Sequence, residues 1–215
     1  MKEIIRALRK YQPSNLEELV DFSFSIGNGI IRPIQIKEEI LELLKILQKR
    51  KPLFILEIGT LNGGTLFLFT RVVREDALII SIDLPGGPFG SGYSPDRIPL
   101  YKSFALEQQQ LYLIRGNSHE QSTLMKVKEI LNDNQLDFLF IDGDHTYEGV
   151  KKDFEMYSPL VREGGLIALH DIVYHPHAPR CRVSDFWYEI RRKYKTKEII
   201  SSPDQTWAGI GLVFL

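Results

Sequence analysis

At 215 residues the chain has the length of one domain with additions, taking about 150 residues per domain as a prior, and it can bury a substantial core. Its 27 basic and 28 acidic side chains nearly cancel, so no overall positive charge points to a nucleic-acid partner. A hydrophobic content of 43% with 26% charged residues excludes a disordered chain, and no run approaches the roughly 18 consecutive apolar residues of a membrane span. The opening MKEIIRALRK is interrupted by charges and carries neither an h-region nor a small-residue cleavage site, so a secretory signal is not expected. Cys181 is the one cysteine, which leaves no internal disulfide and makes a reducing cytoplasm the expected home.

Ser14 and Glu17 have the spacing of a capping box, which predicts a short helix through Phe24 that Gly27 and Gly29 interrupt. From Ile34 to Arg50 the residues Ile36, Ile40, Leu43, Leu44 and Leu47 recur at helical spacing, and Pro52 ends that element. Short apolar runs then follow at 53–58, 78–82, 111–114, 136–141 and 166–169, separated by amphipathic stretches of helical length. Runs this short and this continuous read as strands buried on both faces. Strand, helix and strand in alternation require parallel pairing with right-handed crossovers, which predicts a doubly wound α/β sheet. A helix carrying Phe186, Trp187 and Ile190 precedes two further candidate strands, 198–201 and 209–215, whose short link through Pro203 and Asp204 makes them an antiparallel hairpin. The expected sheet is therefore seven-stranded and mostly parallel. Residues 84–99 hold four prolines and four glycines and read as a long loop or lid.

In open α/β sheets ligands bind beyond the carboxyl ends of the strands. After the first run stands EIGTLNGGT, Glu57 to Thr65, a turn whose glycines let a ligand approach main-chain amides at the start of a helix. Leu61 occupies the second glycine position of a dinucleotide fingerprint, which disfavours a nicotinamide cofactor. Asp83 ends the second run, 24 residues after Gly59, where a carboxylate suits the two ribose hydroxyls of an adenosine; the other reading is an exposed turn aspartate before Pro85. Asn117 and Ser118 suit an adenine edge or a helix cap. Asp142 and the His170–Asp171 pair each stand just past a run, and two carboxylates with an imidazole at one point suggest a divalent cation, unless they are solvent-exposed. His145, in the same loop as Asp142, is a candidate proton acceptor. Three histidines, His170, His175 and His177, lie near Cys181, but their spacing fits no standard structural zinc site.

Taken together these residues resemble the class I S-adenosylmethionine-dependent methyltransferases. More narrowly, IDGDHTYEGVKKDFEMYSPLVREGGLIALHDI, Ile141 to Ile172, is similar to the methyltransferase family 24 group, whose relatives include cephalosporin hydroxylase-like proteins and sugar O-methyltransferases of macrolide pathways. The resemblance runs from about Ile34 to the C-terminus. It implies a single methyltransferase domain over 1–215, with a helical extension at 1–50 and a Rossmann-like core at 51–215. It implies that Glu57, Gly59, Thr60, Gly63, Gly64 and Thr65 surround the methionine portion of S-adenosylmethionine, that Asp83 holds the ribose, and that Asn117 and Ser118 flank the adenine with Asp142 close to the cofactor. It places metal ligands at Asp142, His170 and Asp171 and a proton-accepting histidine at His145. His170 departs from the acidic residue usual there, so although magnesium or manganese is the expected ion, nitrogen ligation weakens the case for magnesium and favours manganese, iron or zinc.

The implied reaction is O-methylation of a small molecule or sugar, with no nucleic acid, no membrane and the question of a homo-oligomer open. Acceptor choice is expected to reside in residues 13–35 and 84–101, where Phe22, Phe24, Phe89, Tyr93 and Tyr101 offer aromatic surface or pack internally. Two other functions remain open from the sequence: a non-catalytic scaffold of the same fold, and a metal-dependent hydrolase or oxygenase built on His170, Asp171 and His175.

Overall fold

The computed structural model describes residues 1–86 and 92–215. Three helices precede the first strand: α1 (Lys2–Lys10), α2 (Leu16–Gly29) and α3 (Lys37–Arg50). The N-terminal cap of α2 is Asn15, one residue later than the expected Ser14. Asn15 Oδ1 accepts from the Glu18 N–H at 2.8 Å, and the Glu18 carboxylate accepts from the Ser14 N–H at 3.0 Å. Asparagine caps as well as serine, and this frame turns Leu19 and Val20 into the core. The foreseen interruption is present, since Ile26 leaves the helical region and Gly27 and Asn28 take φ values of 55° and 58°. In α3, Ile40, Leu43, Leu44 and Leu47 are buried as their spacing predicts. The helix stops at Lys51, whose φ of 49° closes the last turn just before Pro52.

The core then alternates as β1 (Phe54–Ile58), α4 (Gly64–Val72), β2 (Leu78–Asp83), α5 (Ile98–Lys102), β3 (Gln110–Arg115), α6 (Gln121–Leu131), β4 (Leu136–Ile141), α7 (Tyr147–Tyr157), β5 (Val161–His170), α8 (Val183–Ile190), β6 (Lys195–Ile199) and β7 (Ile210–Phe214). The seven strands lie in the order β3-β2-β1-β4-β5-β7-β6. The first five are parallel, and β7 runs antiparallel between β5 and β6. This is the doubly wound, mostly parallel Rossmann-like sheet that the alternation predicts, closed by a C-terminal antiparallel hairpin. Alternate strand residues feed two apolar layers. Ile55, Ile79, Phe138 and Leu166 meet α3 and α4, while Leu56, Ile80, Leu139 and Ile167 meet α6, α7 and α8. Burial on both faces explains the unbroken apolar runs of the parallel strands.

Two strands differ from their expected bounds by more than one residue at an end. β5 begins at Val161, because Gly164 at φ 74° and Gly165, where a Cβ would fall 2.4 Å from Val161 Cγ1, pass through a register shift opposite Leu136 and Phe138. β6 begins at Lys195, a charged edge strand whose exposed KTKE hides it from any apolar pattern. Among the described residues no helix is long and apolar enough to cross a membrane.

The N-terminal helices are tied to the hairpin by one buried acid. Glu39 of α3 is fully buried, and its carboxylate accepts from Gly209 N at 2.9 Å, Gln205 Nε2 at 2.7 Å and Ser201 N at 3.0 Å. Glu39→Ala leaves the buried Gly209 N–H without an acceptor and takes one of two acceptors from Ser201 N and Gln205 Nε2, at a cost of about 2–3 kcal/mol. Thermal unfolding should show the melting temperature falling by roughly 5–10 °C; an unchanged value would mean the tie carries no stability.

Candidate active site

The turn after β1 is built around Gly59. Its φ of 98° and the 2.0 Å gap between an added Cβ and the Asp142 carbonyl oxygen leave room for no side chain. Asp83, at the end of β2, organises the next two residues. Its Oδ2 accepts from Thr60 N at 3.0 Å and Leu61 N at 2.6 Å, and its Oδ1 accepts from Leu84 N at 2.7 Å. Burial pushes the Asp83 carboxyl above the usual range, against the pull of these three donors. Beneath the turn Glu57 is fully buried and accepts from Ser81 Oγ at 2.6 Å; burial pushes it well above an ordinary carboxylate. Leu61 is held at φ 43° with its carbonyl accepting from Tyr101 Oη at 2.5 Å, while Gly63 packs on the Tyr101 ring. Tyr101 is thus a buried support of the turn, and Tyr93 is buried against it. Phe22 stacks on Tyr11 at 3.5 Å, and Phe89 lies outside the described residues.

The loops after β4 and β5 bring the remaining candidates together. Parallel pairing of β4 with β5 sets Ile141 beside Leu169, so Asp142 and His170–Asp171 emerge side by side. His170 Nδ1 lies 3.0 Å from Asp142 Oδ1 and 3.4 Å from Asp171 Oδ1; facing two acceptors, it carries a proton. Burial opposes the His170 charge, yet the two carboxylates push it up to about 9. His145 Nδ1 meets Asp171 Oδ2 at 2.8 Å. Burial opposes its charge as well, but Asp171, Cys181 and Asp142 together push it up to about 11. Burial would raise Asp171, whereas the facing imidazoles of His170, His145 and His175 hold its carboxyl well below the usual range.

Two cavities open at this edge. The larger, about 210 Å³, is lined by Gly59, Leu61, Asp83, Asn117, Ser118, Asp142 and His145 among others. The smaller, about 110 Å³, is lined by Arg32, Pro33, Thr60, Gly64, Thr65, His170 and Asp171, and shares Gly59, Leu61, Asp142 and His145 with the larger. Glu57 and Gly63 line neither and act from below. Asn117 and Ser118 are not the cap of α6, which is Glu120; Asn117 Oδ1 instead accepts from His119 N at 2.9 Å.

Two contributors were not singled out from the sequence. Gln35, buried in the segment before α3, donates from Nε2 to Asp142 Oδ2 at 2.9 Å across a separation of 107 residues. No local pattern signals such a contact. His119 lines the larger cavity, with Nε2 3.1 Å from the Gly149 carbonyl oxygen and 3.3 Å from Asp153 Oδ1. Asp153 is the final aspartate of DGDHTYEGVKKD, at the start of the Ile141 to Ile172 motif quoted above, so the motif itself held half of the signal.

Residues 56–172, more than half of the chain, match the family model described as a methyltransferase domain, family 24. The chain belongs to that family. Among curated relatives it is 27% identical over 143 residues to an uncharacterized protein of Sinorhizobium fredii, covering 65% of this chain but 15% of that protein. It is 30% identical over 141 residues to an uncharacterized protein of Acanthamoeba polyphaga mimivirus, covering 65% of this chain and 61% of the relative. The chain therefore spans less than two thirds of either relative. Among solved structures it is similar to an O-methyltransferase from Bacillus cereus in complex with SAH, with TM-score 0.65, 17% identity and coverage of 100% and 98% of the two chains. It is also similar to the O-methyltransferase TomG from Streptomyces achromogenes, involved in tomaymycin synthesis and in complex with SAM, with TM-score 0.61, 16% identity and coverage of 95% and 91%. At these identities the likeness is one of fold.

In this methyltransferase domain the fully buried Asp153 needs a positive partner, and His119 supplies it. The Asp153 carboxylate 3.3 Å away raises His119 above the ordinary imidazole value of 6.5, outweighing the opposing effect of burial. A raised folded value contributes stability that is complete below the unfolded value and is lost as pH rises through the folded one. His119→Gln should therefore destabilise the domain by about 2 kcal/mol near pH 6, with the gap to wild type narrowing as pH is raised through and above the ordinary imidazole value. Urea unfolding across that range checks the slope, and a gap that widens with pH would contradict the pairing.

Proposed function

We propose that the chain is an S-adenosylmethionine-dependent O-methyltransferase for a small-molecule or sugar hydroxyl, assisted by a divalent cation. The observation that carries this reading is the meeting of the two cavities at Gly59, Leu61, Asp142 and His145. A donor whose adenosine part lies in the larger cavity would carry its methionine end over that junction to the Thr60, Gly64 and Thr65 wall of the smaller, where the acceptor would meet it. The turn amides of Gly59 to Thr65 receive the methionine end of the donor, with Thr60, Gly64 and Thr65 at the wall and Glu57 and Gly63 shaping the turn from beneath. Asp83 stands at the ribose end, both holding the turn and presenting its carboxylate to the larger cavity. Asn117 and Ser118 border the adenine position.

Asp142, His170 and Asp171 offer ligand atoms within 4.8 Å of one another, a nitrogen and oxygen set that suits manganese or iron as well as magnesium. When bound there, a divalent cation would acidify the acceptor hydroxyl and offset the carboxylate pull on His145. His145 turns Nδ1 to Asp171, which leaves Nε2 to take the hydroxyl proton. As the acceptor oxygen forms its bond to the methyl carbon, the bond to sulfur breaks and its electron pair remains on sulfur, giving S-adenosylhomocysteine. Positioning in line across the junction supplies the main advantage over solution. A reducing cytoplasm, in which Cys181 stays a free thiol, fits this role.

Calorimetry with S-adenosylhomocysteine tests the donor site. Wild type should bind, and Asp83→Ala, which releases the Thr60–Leu61 turn, should bind at least about tenfold more weakly. Failure of the wild type to bind would sink the reading. Turnover tests the chemistry: His145→Ala should lower methyl transfer by about 10²- to 10⁴-fold with donor affinity retained, and excess chelator should stop transfer. Undiminished transfer in chelator would remove the cation, and undiminished transfer by the variant would remove His145 as base.

A further inference from the structure

His145 and Asp171 also belong to a second cluster, whose third member is Cys181. The three residues come from separate segments: the loop after β4, the first position beyond β5, and the turn before α8. His145 Nδ1 is 2.8 Å from Asp171 Oδ2, Cys181 Sγ is 3.8 Å from the same oxygen, and each residue offers a ligand atom within 4.8 Å of the others. In a tetrahedral zinc site, metal–nitrogen and metal–oxygen bonds of about 2.0–2.2 Å and a metal–sulfur bond of about 2.3 Å set ligand atoms roughly 3.3–3.6 Å apart. The observed spacing brackets that range.

The cluster is held in place before any ion arrives. The Arg182 N–H donates to the His145 carbonyl at 2.7 Å, fastening the cysteine turn to the histidine loop, and the Cys181 N–H closes its own turn on Ala178 at 2.8 Å. Asp171 sits at φ 64°, a left-handed conformation uncommon among residues other than glycine. It is kept there by the next two residues, whose N–H groups donate to Gly209 at 3.3 Å and Ala208 at 3.0 Å. A strained backbone retained by its surroundings is a frequent mark of a site.

We propose that His145, Asp171 and Cys181 form a site for a soft divalent cation, zinc above all, distinct in its donors from the Asp142, His170 and Asp171 set and sharing only Asp171 with it. A thiolate selects zinc over magnesium and manganese, while the neighbouring oxygen-rich set does not. Binding expels the thiol proton and the proton that His145 shares with Asp171 to solvent, and leaves the fourth tetrahedral position to water. With His145 on the ion, its imidazole can no longer take up an acceptor proton, so zinc inhibits. This inhibition rests on the role of His145 proposed above, whereas cation binding does not, and the two are measured separately.

Metal-free protein is titrated with Co(II), and the thiolate-to-cobalt charge-transfer absorbance in the near ultraviolet is recorded. Because Cys181 is the only cysteine, any such band reports on it. Wild type should develop the band to saturation at one equivalent, zinc should abolish it, Cys181→Ser should lack it, and His145→Gln should need at least about tenfold more cobalt. No band in the wild type, or equal cobalt affinity in His145→Gln, overturns the site. Zinc inhibition of methyl transfer at fixed manganese should then require at least about tenfold more zinc in Cys181→Ser than in wild type. An intact band without inhibition would leave the site standing and remove its effect on catalysis.

Discussion

The crossing of Gly59 over Asp142 is the constraint on which the site depends. Parallel pairing sets Ile58 beside Ile141, so both chains leave the sheet at the same edge and within hydrogen-bonding reach, with Asp142 N donating to Ile58 O at 2.8 Å. The Asp142 carbonyl then occupies the space a side chain at position 59 would need. Only glycine turns the first loop away there. That turn opens one cavity toward β2 and β3 and a second toward β5, with Asp142 and His145 between them.

The same crossing concentrates acids. Glu57, Asp83, Asp142 and Asp171 gather at the ends of neighbouring strands, and burial alone would push Glu57, Asp83 and Asp171 toward protonation. Each is answered differently. Asp83 is met by main-chain N–H groups, Glu57 by the Ser81 hydroxyl, Asp142 by Gln35 and His170, and Asp171 by imidazoles. The first two meet only neutral donors, and one oxygen of Glu57, Oε1, is left buried without a partner. The last two face titratable imidazoles in the paired histidine clusters, which is where the proposed cation and proton chemistry is placed.

How much of this was legible depends on range. The parallel strands read clearly because burial on both faces writes one continuous apolar signal, as in Leu136 to Ile141. β6 did not, since an edge strand with alternating lysines carries no such signal. Asp142, His145, His170 and Asp171 could be singled out because each stands next to a strand end, and parallel topology alone then brings them together. Gln35 could not be found, because its partner is fixed by how a preceding segment folds across the sheet edge. His119 could not be paired without knowing that the last aspartate of the motif faces inward from α7. Local chemistry announces itself in sequence; contacts between distant segments do not.

The segment before and into α3 has three successive grips on the core. The Ile31 carbonyl lies where a side chain at Gly64 would stand, Gln35 holds the Asp142 carboxylate, and Glu39 holds the hairpin. Arg32, Pro33 and Ile34, between the first two grips, form a wall of the smaller cavity. On the proposed reading of the site, substrate range and chemical competence are therefore mechanically joined in this chain. Remodelling the wall by insertion or graft would shift the amide that orients Asp142, so a new acceptor can be gained only by sequences that restore the aim of that carboxylate.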